Sequence, residues 1–167
     1  MTIYMQINGI DGDVTAKGHE NWIALEAIDF NVKRLLSTDP GRIADRESTR
    51  PVISEIHIKK KMDKSSAYLF GESCVGKAKD QVQIDICQTG STLSPYAQLT
   101  LENVIVSHYE LQASDLHNPD KTQSDYPTEQ IRLNFDKIEL KYTPYDSQNM
   151  PQSPIPAGYN LSEATAA

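Results

Sequence analysis

The 167-residue chain has little of what marks several classes of protein. Two cysteines are too few for a disulfide framework and fit folding in a reducing compartment. Its 16 basic residues are outnumbered by 23 acidic ones, and the net charge of −7 argues against a nucleic-acid partner or an anionic membrane surface, because those need concentrated lysine and arginine. No segment approaches the roughly 20 apolar residues of a membrane span, so we expect no membrane insertion.

Two further absences narrow the function. Residues 1–6 lack both the basic start and the apolar stretch of a secretory signal, so we expect the chain to fold in the cytoplasm. Aromatic residues make up only 7% of the chain, with Trp22 as the single tryptophan. A monomeric β-barrel that binds a small ligand or carbohydrate needs a pocket with convergent aromatic side chains, so this composition disfavours that function, which is our main alternative.

An alternation of apolar and polar residues with a period of two dominates the sequence. It predicts β-strands that each have one buried face. The alternation is cleanest where Val82, Ile84 and Ile86 are separated by polar residues. Asn8-Gly9 and Asp11-Gly12 supply turn chemistry. We interpret the one basic run, Lys59-Lys60-Lys61, as a solvated strand end that protects a sheet edge.

Three of the predicted strands change phase midway. Such a change implies a bulge or bend that turns the strand toward another part of the core. Three of them favour a tightly curled antiparallel β-barrel over a flat sheet, and hence an all-β fold. The residues concerned are Ile23 and Leu25 against Ile28, Phe30 and Val32; Leu99 and Leu101 against Val104 and Val106; and Ile131, Leu133 and Phe135 against Ile138, Leu140 and Tyr142.

One short helix is predicted over about residues 63–75. Asp63 is a good N-cap, Gly76 is a natural C-terminal stop, and Ala67, Phe70 and Cys74 recur at helical spacing between them. We expect this helix to lie against the sheet. Residues 146–167 hold three prolines and little apolar pattern, so we predict a β-barrel domain over residues 1–145 followed by an extended or flexible tail.

One motif resembles a phosphate-binding loop, but its context argues against nucleotide binding. Gly71–Ala78 matches G-x-x-x-x-G-K, yet Ala78 replaces the Ser or Thr whose hydroxyl ligates magnesium. The motif requires a strand before it and a helix after it. Here the predicted helix precedes it, and a strand from about Gln81 follows.

The rest of the sequence contains no recognisable catalytic or metal-binding motif. Cys74 and Cys87 lie in no recognisable Cys–His signature, and no serine occupies a G-x-S-x-G turn. Carboxylates that meet only in the fold stay possible, although nothing selects a pair. We therefore predict that the protein is not an enzyme and has no cofactor or metal. We expect a structural or solvated role for each of the four scattered histidines, His19, His57, His108 and His117.

Four segments, in order, resemble the Hcp proteins, the tube subunits of type VI secretion systems. Each segment alone is mostly strand pattern, but four at family-like spacing are specific, and together they cover about residues 3–145. They are Gln6–Asp13 with Lys17-Gly18-His19 and Trp22-Ile23; Lys60–Ser66 with Leu69-Phe70; Leu101–Ser107; and Glu129 through Leu133–Ile138 to Tyr142-Thr143-Pro144.

The resemblance implies a structural rather than a chemical function. It implies a curled β-barrel with one flanking helix that forms homohexameric rings. These rings stack into a tube inside a contractile sheath, capped by a VgrG spike, and are propelled out of the cell, with small effectors in the lumen. It also assigns the loop of residues 36–50 to contacts between subunits or rings. The alternating charges there suit electrostatic register, and a solvated loop that makes no contact is the alternative. The predicted contact residues are Arg42, Asp45, Arg46, Glu47 and Arg50.

Overall fold

The computed structural model describes residues 1–34, 50–88, 94–114, 126–148 and 150–167. Strands dominate this part of the chain, with one α-helix among them. The elements are β1 (Thr2–Ile7), β2 (Ile23–Leu25), β3 (Ala27–Asp29), β4 (Val32–Arg34), β5 (Pro51–Ile53), β6 (Ile56–Lys61), α1 (Ser66–Val75), β7 (Lys79–Cys87), β8 (Pro95–Gln112), β9 (Thr128–Asn134), β10 (Lys137–Tyr142), β11 (Ile155–Asn160) and β12 (Thr165–Ala166). The prediction of a mostly β protein with one short helix is confirmed.

Two groups of antiparallel strands share the long strand β8. Its first half lies between β7 and β10, in a group ordered β2-β1-β7-β8-β10-β11-β12. Its second half pairs with β9, which continues to β6 and β3. Strands β4 and β5 form a separate two-stranded ribbon. The apolar side chains between the two groups make one core cluster, which includes Met5, Leu101 and Leu133.

Each predicted phase change falls where the chain passes from one group of strands to the other. The first lies at Glu26, between β2 and β3. The second lies in β8 at Asn103, whose φ is +52°, just before the strand begins to pair with β9. The third lies at Phe135 and Asp136, between β9 and β10. The sequence pattern therefore located all three transitions.

Helix α1 begins three residues later than predicted. Ser65, not Asp63, occupies the N-cap position, and its side chain makes no capping hydrogen bond. Asp63 instead stabilises the preceding turn, since its Oδ1 accepts hydrogen bonds from the backbone N–H of Ser65 at 2.9 Å and from the Ser65 hydroxyl at 2.5 Å. Gly76 ends the helix as predicted, with φ of +67° and a hydrogen bond to the Glu72 carbonyl.

Helix α1 lies against β8, where the ring centroid of Phe70 is 5.7 Å from that of Tyr109. Ser66 and Leu69 are buried, whereas Ala67, Phe70 and Cys74 are exposed. Ser66 is buried because its hydroxyl is held by a side-chain network, which is described below.

Part of the predicted tail belongs to the sheet. Strand β11 pairs with β10 over its whole length, from Ile155 opposite Tyr142 to Asn160 opposite Lys137, and β12 adds a short outer strand. The division of the chain near residue 145 stays a prediction.

Candidate assembly surface

The predicted contact loop is carried by the ribbon of β4 and β5. Val32 pairs with Ile53 and Arg34 pairs with Pro51, so the two ends of the loop lie side by side. Below the ribbon, the Ser54 N–H donates to the Asn31 carbonyl at 3.0 Å, and the Ser54 hydroxyl accepts from the Asn31 N–H at 3.0 Å. An isolated two-stranded ribbon is marginal in water, so further contacts would stabilise this one.

Of the five predicted contact residues, the structure describes one. Arg50 is exposed at the end of the loop, directly before β5. Arg42, Asp45, Arg46 and Glu47 lie outside the described residues. The ribbon itself exposes apolar surface, because Val32 is 58% and Val52 46% exposed.

A buried charged cluster joins β6, β9 and the start of α1. The Lys60 ammonium is fully buried and donates to Glu129 Oε2 at 2.7 Å, to Asp63 Oδ1 at 2.8 Å and to the Ser66 hydroxyl at 3.3 Å. The other Glu129 oxygen accepts a hydrogen bond from Tyr109 at 2.7 Å. Burial and then this hydrogen bond raise the pKa of Tyr109, so its hydroxyl stays protonated at neutral pH and remains a donor.

The interpretation of Lys59-Lys60-Lys61 as a solvated strand end was therefore wrong for its middle residue. Lys59 and Lys61 are exposed, but Lys60 points into the core. The paired carboxylates offset the cost of burying this charge. The cluster anchors the flanking helix to the strands.

A second buried cluster contains a cysteine, a histidine and an aspartate, the residue types of a cysteine hydrolase. Their arrangement is not that of a catalytic triad, in which the carboxylate and the thiol face different nitrogens of the imidazole. His19 Nε2 lies 2.9 Å from Asp85 Oδ2 and 3.9 Å from Cys87 Sγ, so the same nitrogen faces both groups, while Nδ1 has no hydrogen-bond partner among the described residues. Burial, and then the charge of Asp85, raise the pKa of Cys87 to about 11. The thiol stays protonated at neutral pH, so it is a poor nucleophile.

Aromatic rings hold His19 in this position. The ring centroids of Tyr4 and Trp22 lie 4.8 Å and 4.7 Å from that of His19, and the imidazole is buried between them. In this setting His19 packs the 11–22 segment onto β1 and β7.

The loop-like motif Gly71–Ala78 has the predicted context. Its first five residues lie in α1, Gly76 caps the helix, and strand β7 follows from Lys79. The order is the reverse of the strand–loop–helix arrangement that binds phosphate.

An open groove of about 360 Å³ lies beside β1. The described residues that line it include Thr2, Val14, Ala24 and Met62, and Tyr4 is the one aromatic residue among them. Tyr4 is itself 7% exposed, so it offers little surface to a ligand. The described lining of the groove therefore does not supply the convergent aromatic side chains that the ligand-binding alternative requires.

The described part of the chain shows neither a membrane-spanning helix nor a cluster of metal ligands. None of its helices is long and apolar enough to cross a membrane. Nor do three or more histidine, cysteine, aspartate or glutamate side chains there form a group that could hold a metal ion.

Comparison with known proteins gives a consistent picture. The model of the family described as "Type VI secretion system effector, Hcp" matches residues 4–142. A solved structure described as a type six secretion system protein is 20% identical, with a TM-score of 0.89 and 99% of each chain covered. Hcp1 from Salmonella typhimurium is 19% identical, with a TM-score of 0.75 and coverage of 99% of this chain and 98% of that one.

A type VI secretion system effector from Yersinia pestis is 22% identical, with a TM-score of 0.72 and coverage of 95% and 98% of the two chains. A search among curated protein sequences found no match. At these identities the solved structures establish the fold, and the family model, which spans most of the sequence, establishes the family. The chain belongs to the Hcp family, whose members are secreted tube proteins of type VI secretion systems.

Proposed function

We propose that this protein is the structural subunit of a type VI secretion inner tube, forming homohexameric rings that stack and are propelled out of the cell. The family match over residues 4–142 carries this proposal, and Hcp proteins form oligomers. In this proposal the VgrG spike caps the tube, the contractile sheath surrounds it, and small effectors travel in the lumen. The function is mechanical and requires no bond chemistry.

We further propose that each subunit closes into a curled β-barrel. Strand β8 takes part in both groups of strands, and β2 and β3 follow each other directly across Glu26 while pairing with β1 and β6 respectively. The Glu26 N–H donates to the Lys59 carbonyl at 2.7 Å, which continues the hydrogen bonding between the two pairs. This connectivity supports closure on both sides of the core.

Negative-stain electron microscopy of the purified protein tests the ring directly. The proposal predicts six-fold annular particles, alone or stacked end to end. If no annular particles formed at any protein concentration, the proposal would be contradicted.

The charged loop is proposed as the contact that sets the register between subunits or rings. The double variant Arg42→Glu/Arg46→Glu changes the loop charge by −4. We expect it to weaken assembly at least about tenfold, since like charges then face each other. Light scattering and electron microscopy would measure ring and tube formation.

Lys33→Glu in β4, which changes the charge by −2, is the control for charge reversal outside the loop, because Lys33 is exposed beside the loop. It should assemble as the wild type does. If the double variant also assembled normally and was secreted normally, the loop would have no such role.

A further inference from the structure

We propose that the apolar face of β10 and β11 is covered by a second copy of this chain, as the contact between neighbouring subunits of the assembly. The inference rests on the proposed function, because it names the surface through which one subunit meets the next. It concerns residues well away from the charged loop.

The cross-strand rows of the larger group show that this face belongs to the core. Residues directly opposite each other in antiparallel strands point to the same side. One row runs Met5, Ile84, Leu99, Leu140 and Ala157 from β1 to β11. The first three are 0%, 0% and 3% exposed, whereas Leu140 is 43% exposed and Ala157 is exposed as well.

In the neighbouring row, the exposure of the side chains increases in the same direction, from β1 to β11. This row runs Ile3, Ile86, Ala97, Tyr142 and Ile155. Ile3 is 5% exposed, Ile86 and Ala97 are half-buried, Tyr142 is 50% and Ile155 62% exposed. Two adjacent rows thus run from closed core to open surface at β10.

The opposite face of β10 has the reverse character. Lys137, Glu139 and Lys141 all lie on it, so every charged residue of the strand points away from the apolar side. A sheet with one polar and one apolar face normally has the apolar face packed. The exposed part of this face carries no charge, so its partner must also be apolar.

We assign a second copy to this face because the exposed surface continues the face that is packed inside the single chain. Over β1, β7 and β8 the face is covered by the strands of the other group, through residues such as Ile58, Ile131 and Leu133. Beyond β8 the same rows continue, but the cover that the described residues provide ends, since Leu140 and Tyr142 are exposed. A neighbouring copy can supply an equivalent layer, as expected in a family whose members form oligomers.

The outer edge of β11 supports the same conclusion. Within the described residues, β12 pairs only with Tyr159 and Asn160, so Ile155–Ala157 has no strand on its outer side. An open edge beside an open apolar face invites association. The face of one copy would meet a different surface of the next, which is the heterologous contact that closes a ring.

Tyr142→Glu tests the proposal, with Lys141→Glu as its control. The two residues are adjacent in β10 and point to opposite faces, and the control changes charge by more than the test variant does. We expect Tyr142→Glu to sediment and scatter as a single 18.7 kDa chain that still unfolds cooperatively, while Lys141→Glu forms the wild-type assembly. Normal assembly by Tyr142→Glu would overturn the proposal.

A labelling experiment decides the matter if Tyr142→Glu fails to fold. Ile155→Cys in a Cys74→Ser background places one accessible thiol on the face, since Cys87 is buried. We expect at least tenfold slower maleimide labelling in the assembly than in the dissociated chain. Equal rates would overturn the proposal. A wild-type protein that never assembles would instead refute the proposed function itself.

Discussion

Gly12 lies where the turn after β1 meets the start of β2. Its N–H donates to the Asn21 carbonyl at 2.7 Å. A Cβ at this position would lie 2.5 Å from Ile23 Cα and 2.6 Å from the Trp22 carbonyl carbon, both of them backbone atoms. We therefore expect Gly12→Ala to lower the free energy of unfolding by about 2 kcal/mol or more, as measured by urea denaturation.

Gly71→Ala is the matched control for Gly12. Gly71 lies in α1, and a Cβ there would meet nothing within 4 Å. Alanine is the better helix former, so this substitution should stabilise the protein by roughly 0.5–1 kcal/mol. Equal effects of the two substitutions would show that the close approach at Gly12 does not constrain the fold.

Cys87 gives the protein a predictable loss of stability in alkali. Its pKa is raised from 9.0 to about 11 in the folded state, first by burial and then by the charge of Asp85. A raised pKa contributes stability that is complete below pH 9 and is lost as the pH rises through 11. The free energy of unfolding falls by up to about 2–3 kcal/mol as a result.

Cys87→Ala isolates this effect. We expect the variant to be less stable than the wild type at pH 7, and the difference to shrink between pH 9 and pH 11. Urea denaturation at stepped pH values measures both. If the difference in unfolding free energy stayed constant across that range, the pKa of Cys87 would not be raised in the folded state.

At the scale of elements, the Lys60 cluster joins β6, β9 and α1. Lys60→Met would leave the Glu129 carboxylate buried without its 2.7 Å partner. We expect a loss of about 3–5 kcal/mol in unfolding free energy, with part of it recovered in Lys60→Met/Glu129→Gln. Lys59→Met, at the exposed neighbouring position, should change stability by no more than about 0.5 kcal/mol. Equal losses in the two single variants would contradict this account.

The strands were more predictable than the polar residues they bury. Ile56, Ile58 and Lys60 share one parity in β6, so the alternation that identified the strand also placed Lys60 on its buried face. The burial of Lys60 was missed because Lys59-Lys60-Lys61 was interpreted as one solvated run. Its partner Glu129 is distant in sequence, and no local pattern reveals that pairing.

The helix was predictable in position but not in orientation. Its stop at Gly76 follows from local backbone chemistry, which the sequence contains. Its buried face depends on Ser66, whose hydroxyl accepts a hydrogen bond from the Asp63 N–H at 2.9 Å as well as one from Lys60. Apolar spacing alone could not predict this, because a polar contact decides which side packs.

At the scale of the whole molecule, strand β11 shows the limit of sequence reasoning. Pro156 and the weak apolar pattern around it indicate an irregular tail, yet β11 pairs with β10 along six residues. Pro156 is tolerated because the outer side of the strand is open there. Ile155, Pro156 and Ala157 are all exposed, so the first half of β11 lacks the alternation of buried and exposed residues that marks the other strands.

The central claim is that this chain assembles into six-membered rings, and its solution mass tests that claim most directly. Light scattering during size-exclusion chromatography, across a wide concentration range, should give six times the 18.7 kDa of one chain, or multiples of that mass if rings stack. A mass of 18.7 kDa at every concentration would contradict the account.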